Sequence, residues 1–129
     1  MYVLLVSLGP LFSNTQHTQR TSVLSCPELL ILQLIRFRHV NKETTPVDPV
    51  CTLSVNIATG GSVQYQLLAV IYHRGQSPQS GHYFADCFRP ASHQWFRCDD
   101  RSVTNIGNDL PQLPHDDGQA YILFYQRVS

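Results

Sequence analysis

The sequence is short of basic charge, of paired cysteines and of long apolar runs. It has a single lysine, Lys42, and its nine Lys plus Arg are balanced by nine Asp plus Glu. A protein that tracks a phosphate backbone wants a clear cationic excess, so nucleic acid is a poor partner. Charged residues make up only 14% and hydrophobic residues 43%, which is too little charge for a disordered chain and enough apolar surface for a core. The cysteines Cys26, Cys51, Cys87 and Cys98 lie 25, 36 and 11 positions apart. No two form the close pair of a metal knuckle, and no metal or cofactor is expected. Three of the four sit in strand-like runs, where a buried reduced thiol is the commoner state. The apolar start, Met1 to Phe12, lacks a basic leading region, is interrupted by Gly9-Pro10 and is too short to span a bilayer. It reads as a strand or as the stump of a longer chain, with no membrane contact. Neutral charge and reduced thiols suit cytoplasm or nucleus.

What is present is a series of short extended runs, and 129 residues suffice for one unit of them. Ser13 to Ser25 is a polar surface loop. Leu29 to Ile35 is nearly all apolar and bounded by Pro27 and Arg36, as expected of a strand buried on both faces. Asn41 to Pro49, with two prolines, is a loop. Val50 to Ile57 alternates with a period of two, which puts Cys51, Leu53, Val55 and Ile57 on one face. Gly60-Gly61 supplies a turn. Val63 to His73 is rich in β-branched and aromatic residues and reads as another strand. Gly75 to Gly81 interrupts it, and Tyr83 to Phe88, Trp95 to Cys98, Val103 to Ile106 and Ala120 to Val128 follow. Helical periodicity is weak; Asn105 to Leu113 allows one short helical turn, limited by Gly107 and Pro111.

Among six histidines, His17, His39, His73, His82, His93 and His115, the setting of His82 stands out. It follows Gly81 at the end of a mobile loop and begins a strand, so its backbone is fixed while its ring borders a flexible segment. Arg89-Pro90-Ala91-Ser92 is a turn signal. A symmetric hairpin about it places His82 opposite Asp99, Asp86 opposite Trp95 and Tyr83 opposite Cys98. Directly paired side chains have Cβ atoms about 4.5–5.5 Å apart, close enough for a carboxylate to bond an imidazole. A histidine held in this way is the base half of a nucleophilic triad. The nucleophile is harder to find. Cys87 lies five positions beyond His82, on the opposite face and about 17 Å along the strand; Cys98 points away from Asp99 by the same alternation. Cys26 and Cys51 are not at a helix amino terminus that would stabilise a thiolate. A zinc site from His82, Cys87, His93 and Cys98 fails on the same alternation.

Four blocks then occur in order: Tyr65 to His73, Ser80-Gly81-His82-Tyr83-Phe84-Ala85, Trp95-Phe96-Arg97-Cys98-Asp99-Asp100, and Ala120-Tyr121-Ile122-Leu123-Phe124-Tyr125. Together they resemble the histidine box of the ubiquitin-specific proteases, and Cys26 to Phe37 is similar to that family's upstream strand. The resemblance spans about Cys26 to Arg127. It implies an α+β fold, the palm of a papain-like cysteine protease, mostly antiparallel β-sheet with little helix and truncated. Residues 26–129 would be the carboxy-terminal part of the catalytic domain, with residues 1–25 left unassigned.

By the same resemblance His82 is the triad base, Asp99 orients it, and Asp100 is an auxiliary group for water or the developing oxyanion. Gln76 to Gly81 matches the blocking loop beside the substrate tail. Gln76, Ser80, Gly81 and Tyr83 then lie on the substrate side, Tyr83 and Trp95 packing around the site. The implied reaction is hydrolysis of the isopeptide bond after ubiquitin's terminal diglycine, through a thiolate and an acyl-enzyme. The implied partners are ubiquitin and ubiquitinated proteins. The family's nucleophile segment, Asn-Thr-Cys, has no counterpart: Asn14-Thr15-Gln16 lacks the cysteine. The family's zinc-ribbon cysteine pairs are absent too, and Gln33 and Ile35 stand where its upstream strand carries His and Lys. The expectation is therefore a base-bearing part of a deubiquitinase that does not hydrolyse anything alone. The alternative is a non-catalytic remnant that binds ubiquitin or another protein.

Overall fold

The structure is a computed structural model that describes residues 2–7, 22–38, 41–110, 112–113 and 118–128. Asn14-Thr15-Gln16, His17, His39 and His115 lie outside these residues, as does most of the polar loop expected over Ser13 to Ser25. Among the described residues, ten strands account for nearly all regular structure: β1 (Tyr2–Ser7), β2 (Leu29–Ile35), β3 (Phe37–Arg38), β4 (Asn41–Lys42), β5 (Thr52–Asn56), β6 (Ser62–Ser77), β7 (Ser80–Arg89), β8 (Gln94–Asp99), β9 (Ser102–Gly107) and β10 (Gln119–Arg127). The one helical element among the described residues is a 3₁₀ turn, Pro90–Ser92. The main sheet runs β1-β2-β10-β6-β7-β8-β9 and is antiparallel except for the β1–β2 pair, while β3 and β4 form a separate small hairpin.

The long strand β6 organises the sheet. Along one edge it pairs with β10; along the other, β5 takes residues 62–66 and β7 takes residues 69–77, so β5 and β7 lie end to end. Its buried apolar positions are Val63, Tyr65 and Leu67, then Val70 and Tyr72, and His73 is buried on the other face. The parity changes at Leu68, where the pairing with β10 shifts by one residue. A bulge of this kind inserts an extra residue on one strand; here it keeps one face toward the core. Leu30, Leu34, Phe84, Trp95, Leu123 and Tyr125 complete that core. The loops are tied to it by polar groups: Tyr65 Oη donates to the Pro27 carbonyl at 2.5 Å, Tyr125 Oη to Val50 at 2.8 Å, and buried Arg36 donates through Nε to Ala120 at 2.5 Å. Contrary to the expectation of burial on both faces, β2 buries only Leu30 and Leu34, both on one face, and leaves its other residues half-buried; β5 alternates as expected, with Leu53 and Val55 turned inward.

Three local expectations are corrected. Gly75 does not end its strand: β6 continues to Ser77, β7 starts at Ser80, and Pro78-Gln79 is the turn. Gly75, at φ +127°, supplies the conformation required beside a bulge in this hairpin. The described residues of Asn105 to Leu113 contain no helical turn; Asn105 Oδ1 instead accepts from the Gly107 amide at 2.9 Å as β9 ends. The β7–β8 hairpin is centred one residue later than the turn signal indicates. Pro90 opens the 3₁₀ turn and His93, in the left-handed region at φ 50°, closes it. Phe88 therefore opposes Trp95, Asp86 opposes Arg97, and Ala85 opposes Cys98.

Candidate active site

That register is displaced by two residues from the symmetric hairpin, and two is the strand's side-chain period. Every side chain keeps its face. Asp99 thus remains on the same face as His82, one step along rather than directly across, and the two groups meet diagonally: His82 Nε2 lies 2.5 Å from Asp99 Oδ1. An ionised carboxylate can only accept, so Nε2–H donates to Asp99 and Nδ1 is left with its lone pair. That is the tautomer a general base needs. The pair is open to its surroundings, the two side chains being 38% and 40% exposed. Exposed ion pairs contribute roughly 0–1 kcal/mol to stability, so stability alone is a weak reason for this arrangement.

Asp100 completes the cluster. It sits with Arg101 in the two-residue connection between β8 and β9, at φ 51°, a conformation that aspartate tolerates better than most residues. One oxygen of Asp100, one of Asp99 and a nitrogen of His82 all lie within 4.8 Å of one another. Among the described residues this is the one group that could hold a metal ion; the direct bond between His82 and Asp99 leaves no space for an ion between them.

Two strand positions inward on β8 is a second charged pair, whose carboxylate is fully buried while its arginine is 28% exposed. Asp86 is 0% exposed, and Arg97 binds it through two contacts, Nε to Oδ1 and Nη2 to Oδ2, each 2.8 Å. The carboxylate raises the Arg97 pKa further, chiefly by hydrogen bonding. Arg97 also lies over the Phe84 ring at 5.2 Å, and Phe84 stacks on Tyr72 at 5.1 Å. A bidentate pair of fixed geometry resists sliding of β7 against β8. It therefore holds the register on which the His82–Asp99 contact depends. The unshifted hairpin would set Asp86 against Trp95 and hide this pair. Opposite charges on facing strands were the available signal, readable only once the turn is placed correctly.

The remaining residues sort by position. Gln76 and Ser80 are exposed on the β6–β7 hairpin, where Ser77 Oγ and Ser80 Oγ are 2.7 Å apart. The groove beside the hairpin is lined by Lys42, Thr44, Gly75, Gln76 and Gln119. Gly81 is next to His82, with its backbone on the His73 ring. Tyr83 leaves β7 on the face opposite His82, 4.6 Å from the His73 ring and 6.1 Å from Tyr121, measured between centroids, and is 41% exposed. Trp95 is buried against Phe88 at 5.3 Å. His93 is at the 3₁₀ turn beside Phe88, so it does not join His82 and the two nearby cysteines in a metal site. Cys87 and Cys98 adjoin each other on the face away from His82, and burial, reinforced by Cys98, pushes the Cys87 thiol pKa up. Cys51 is exposed on the segment entering β5, and all four cysteines are free.

A profile of the ubiquitin carboxyl-terminal hydrolase family matches residues 12–125. The chain belongs to the ubiquitin carboxyl-terminal hydrolase family. It is 38% identical over 110 residues to ubiquitin carboxyl-terminal hydrolase 24 of Arabidopsis thaliana, covering 78% of this chain and 19% of that protein. It is 32% identical over 140 residues to a probable ubiquitin carboxyl-terminal hydrolase 3 of Schizosaccharomyces pombe, covering 90% of this chain and 27% of that protein. The chain thus spans about a fifth to a quarter of these hydrolases' length. Among solved structures, a chain of the yeast SAGA DUB module superposes with a TM-score of 0.68 at 28% identity, over 82% of this chain and 26% of its own. A chain of the SAGA Ubp8/Sgf11/Sus1/Sgf73 DUB module gives 0.66 at 28% identity, over 80% and 24%. The histidine-box resemblance read from the four sequence blocks is thereby established at the level of family. Among the described residues, no helix is long and apolar enough to cross a membrane.

Proposed function

We infer that residues 26–129 form the base-bearing, carboxy-terminal part of a papain-like deubiquitinase palm, with His82 as general base and Asp99 as the group that orients it. The observation that carries this reading is the 2.5 Å bond from His82 Nε2 to Asp99 in a half-open pair. It leaves Nδ1 to receive a proton from a thiol and to return it to a leaving lysine amine. The reaction is attack of a cysteine thiolate on the terminal carbonyl of ubiquitin, giving an acyl-enzyme that water then hydrolyses. Asp100, at the rim of the cluster, would position that water or a donor to the oxyanion. Gln76, Ser80 and Gly81 on the hairpin, with Tyr83 beyond, would line the path of the diglycine tail.

The nucleophile comes from a segment other than the four cysteines of this chain. Cys87 and Cys98 are on the wrong face, Cys87 is held protonated by burial, and Cys26 and Cys51 lie on segments outside the His82 cluster. Substrates are ubiquitin conjugates. Four free thiols suit a reducing compartment, cytoplasm or nucleus.

The test uses a ubiquitin carrying a vinyl electrophile at its carboxy terminus. Applied to this chain alone, it should leave no adduct. Applied to a chimera in which this chain replaces the matching segment of the fission-yeast relative, it should label the relative's cysteine. An adduct on this chain would overturn the assignment of the nucleophile. A folded chimera that binds ubiquitin without labelling would favour a non-catalytic ubiquitin-binding role.

A further inference from the structure

We propose that His73 is a positioning residue for His82, acting through the two residues on either side of it. The ring of His73 is completely buried. On β7, Tyr83 pairs directly with His73 and its ring centroid is 4.6 Å away. On the other side of His82, Gly81 lies so close that a methyl group there would run into His73 Nε2, and would stand 2.8 Å from Cε1 and 2.6 Å from the Arg74 carbonyl oxygen. His82 itself pairs with Arg74 and projects to the opposite face, toward Asp99. The backbone that carries His82 is therefore seated on one imidazole through both flanking residues.

The seat is itself fixed. Phe37 meets the ring edge-on at 5.2 Å, and Lys42 Nζ donates to the Gly75 carbonyl at 2.6 Å and to the His73 carbonyl at 3.4 Å, joining β4 to the same stretch of β6. Among the described residues neither nitrogen of His73 has a hydrogen-bond partner of good geometry, although the Ser77 backbone lies near the ring. A core built for stability alone would place an apolar side chain here, because an unpartnered buried polar atom is unfavourable. A flat ring that lets the Gly81 backbone approach closely is a geometric reason for the residue. Burial favours the neutral ring, and Lys42 reinforces this, while the Ser77 backbone acts weakly the other way. The groups facing it are Lys42 from β4, Phe37 from β3 and Tyr83 from β7.

This role rests on reading His82 and Asp99 as base and orienter. It is tested without catalysis, so its failure differs from a failure of the chimera above. The measurement is the NMR resonance of the His82 Nε2 proton in this chain, which reports the bond to Asp99. Asp99→Ala sets the scale by removing the acceptor. His73→Leu, which removes the flat seat, should move that resonance most of the way to its position in Asp99→Ala, while His73→Phe, which keeps a flat ring, should restore it. A purely structural role predicts lower stability in His73→Leu with an unchanged His82 resonance, and that result would overturn the proposal. If His73→Leu does not fold, Gly81→Ala decides. Its methyl pushes the backbone off the ring, and an unaltered His82 resonance in that variant would equally refute the role.

Discussion

Replacing Arg97 with methionine strips the cation from a carboxylate that has no access to solvent. Asp86 is fully buried and both its oxygens are bonded by Arg97 at 2.8 Å. Methionine can fill the space of the arginine stem over Phe84, but it offers neither charge nor donors, so two charge-assisted bonds disappear and the carboxylate stays buried. Breaking one side of a fully buried pair costs about 3–5 kcal/mol, against roughly 0–1 kcal/mol for a half-exposed pair like His82–Asp99; with Asp86 buried and Arg97 28% exposed, the cost here is about 2–3 kcal/mol. With a urea m-value of about 1.5 kcal/mol/M for a small chain, Arg97→Met should lower the unfolding midpoint by about 1.5–2 M. The double variant Asp86→Leu with Arg97→Met removes both charges and should recover most of that loss. Trp95 is the sole tryptophan and is buried on β8, so its fluorescence reports the transition at the relevant strand. A midpoint for Arg97→Met close to that of the parent chain would refute the reasoning. So would a double variant no more stable than the single one.

Other outcomes follow from the same structure. The pKa of His73 is lowered in the fold from an ordinary 6.5, so the unfolded chain binds a proton that the folded chain refuses. The stability associated with this group is complete above pH 6.5 and declines as the pH falls below it, by up to about 1.4 kcal/mol per unit. His73→Phe should flatten this decline in urea midpoints measured at successive pH values, and equal slopes in the two proteins would contradict it. Gly118→Ala places a methyl 2.8 Å from Cζ and 2.9 Å from Cε1 of Phe84, at φ +152°. Overpacking of this kind costs about 1–3 kcal/mol, and an undiminished thermal midpoint would count against it. Mass spectrometry after limited alkylation should find exposed Cys51 modified well before Cys87, whose thiolate is disfavoured by burial; early labelling of Cys87 would be inconsistent with the packing.

Much of the site was legible because the decisive signal has a period of two. The hairpin between β7 and β8 was centred one residue early, yet a slip of two leaves every side chain on its own face, and His82 still meets Asp99. The slip itself was not legible. It depends on His93 adopting the left-handed conformation at the end of a 3₁₀ turn, a choice that a Pro-Ala-Ser turn signal does not specify. For β6, the bulge at Leu68 switches the buried apolar positions from odd to even numbers, so no single alternation runs through Val63 to His73, which is buried on the other face. The apolar run of β2 and the half-exposed β5 carried no such interruption and were readable as strands, although β2 buries one face and not two. Asp86–Arg97 and the burial of His73 arise from which strands face each other, information that local pattern does not contain.

Whether His82 and Asp99 work as base and orienter for a cysteine outside this chain's own four is read most directly from kcat/KM for hydrolysis of a fluorogenic ubiquitin carboxy-terminal amide by the fission-yeast chimera, compared with its His82→Ala and Asp99→Asn variants. His82→Ala should lose about 10²–10⁴-fold, the contribution typical of a positioned general base, with a substantial loss for Asp99→Asn and KM little changed. Activity in His82→Ala equal to that of the parent chimera would contradict these roles.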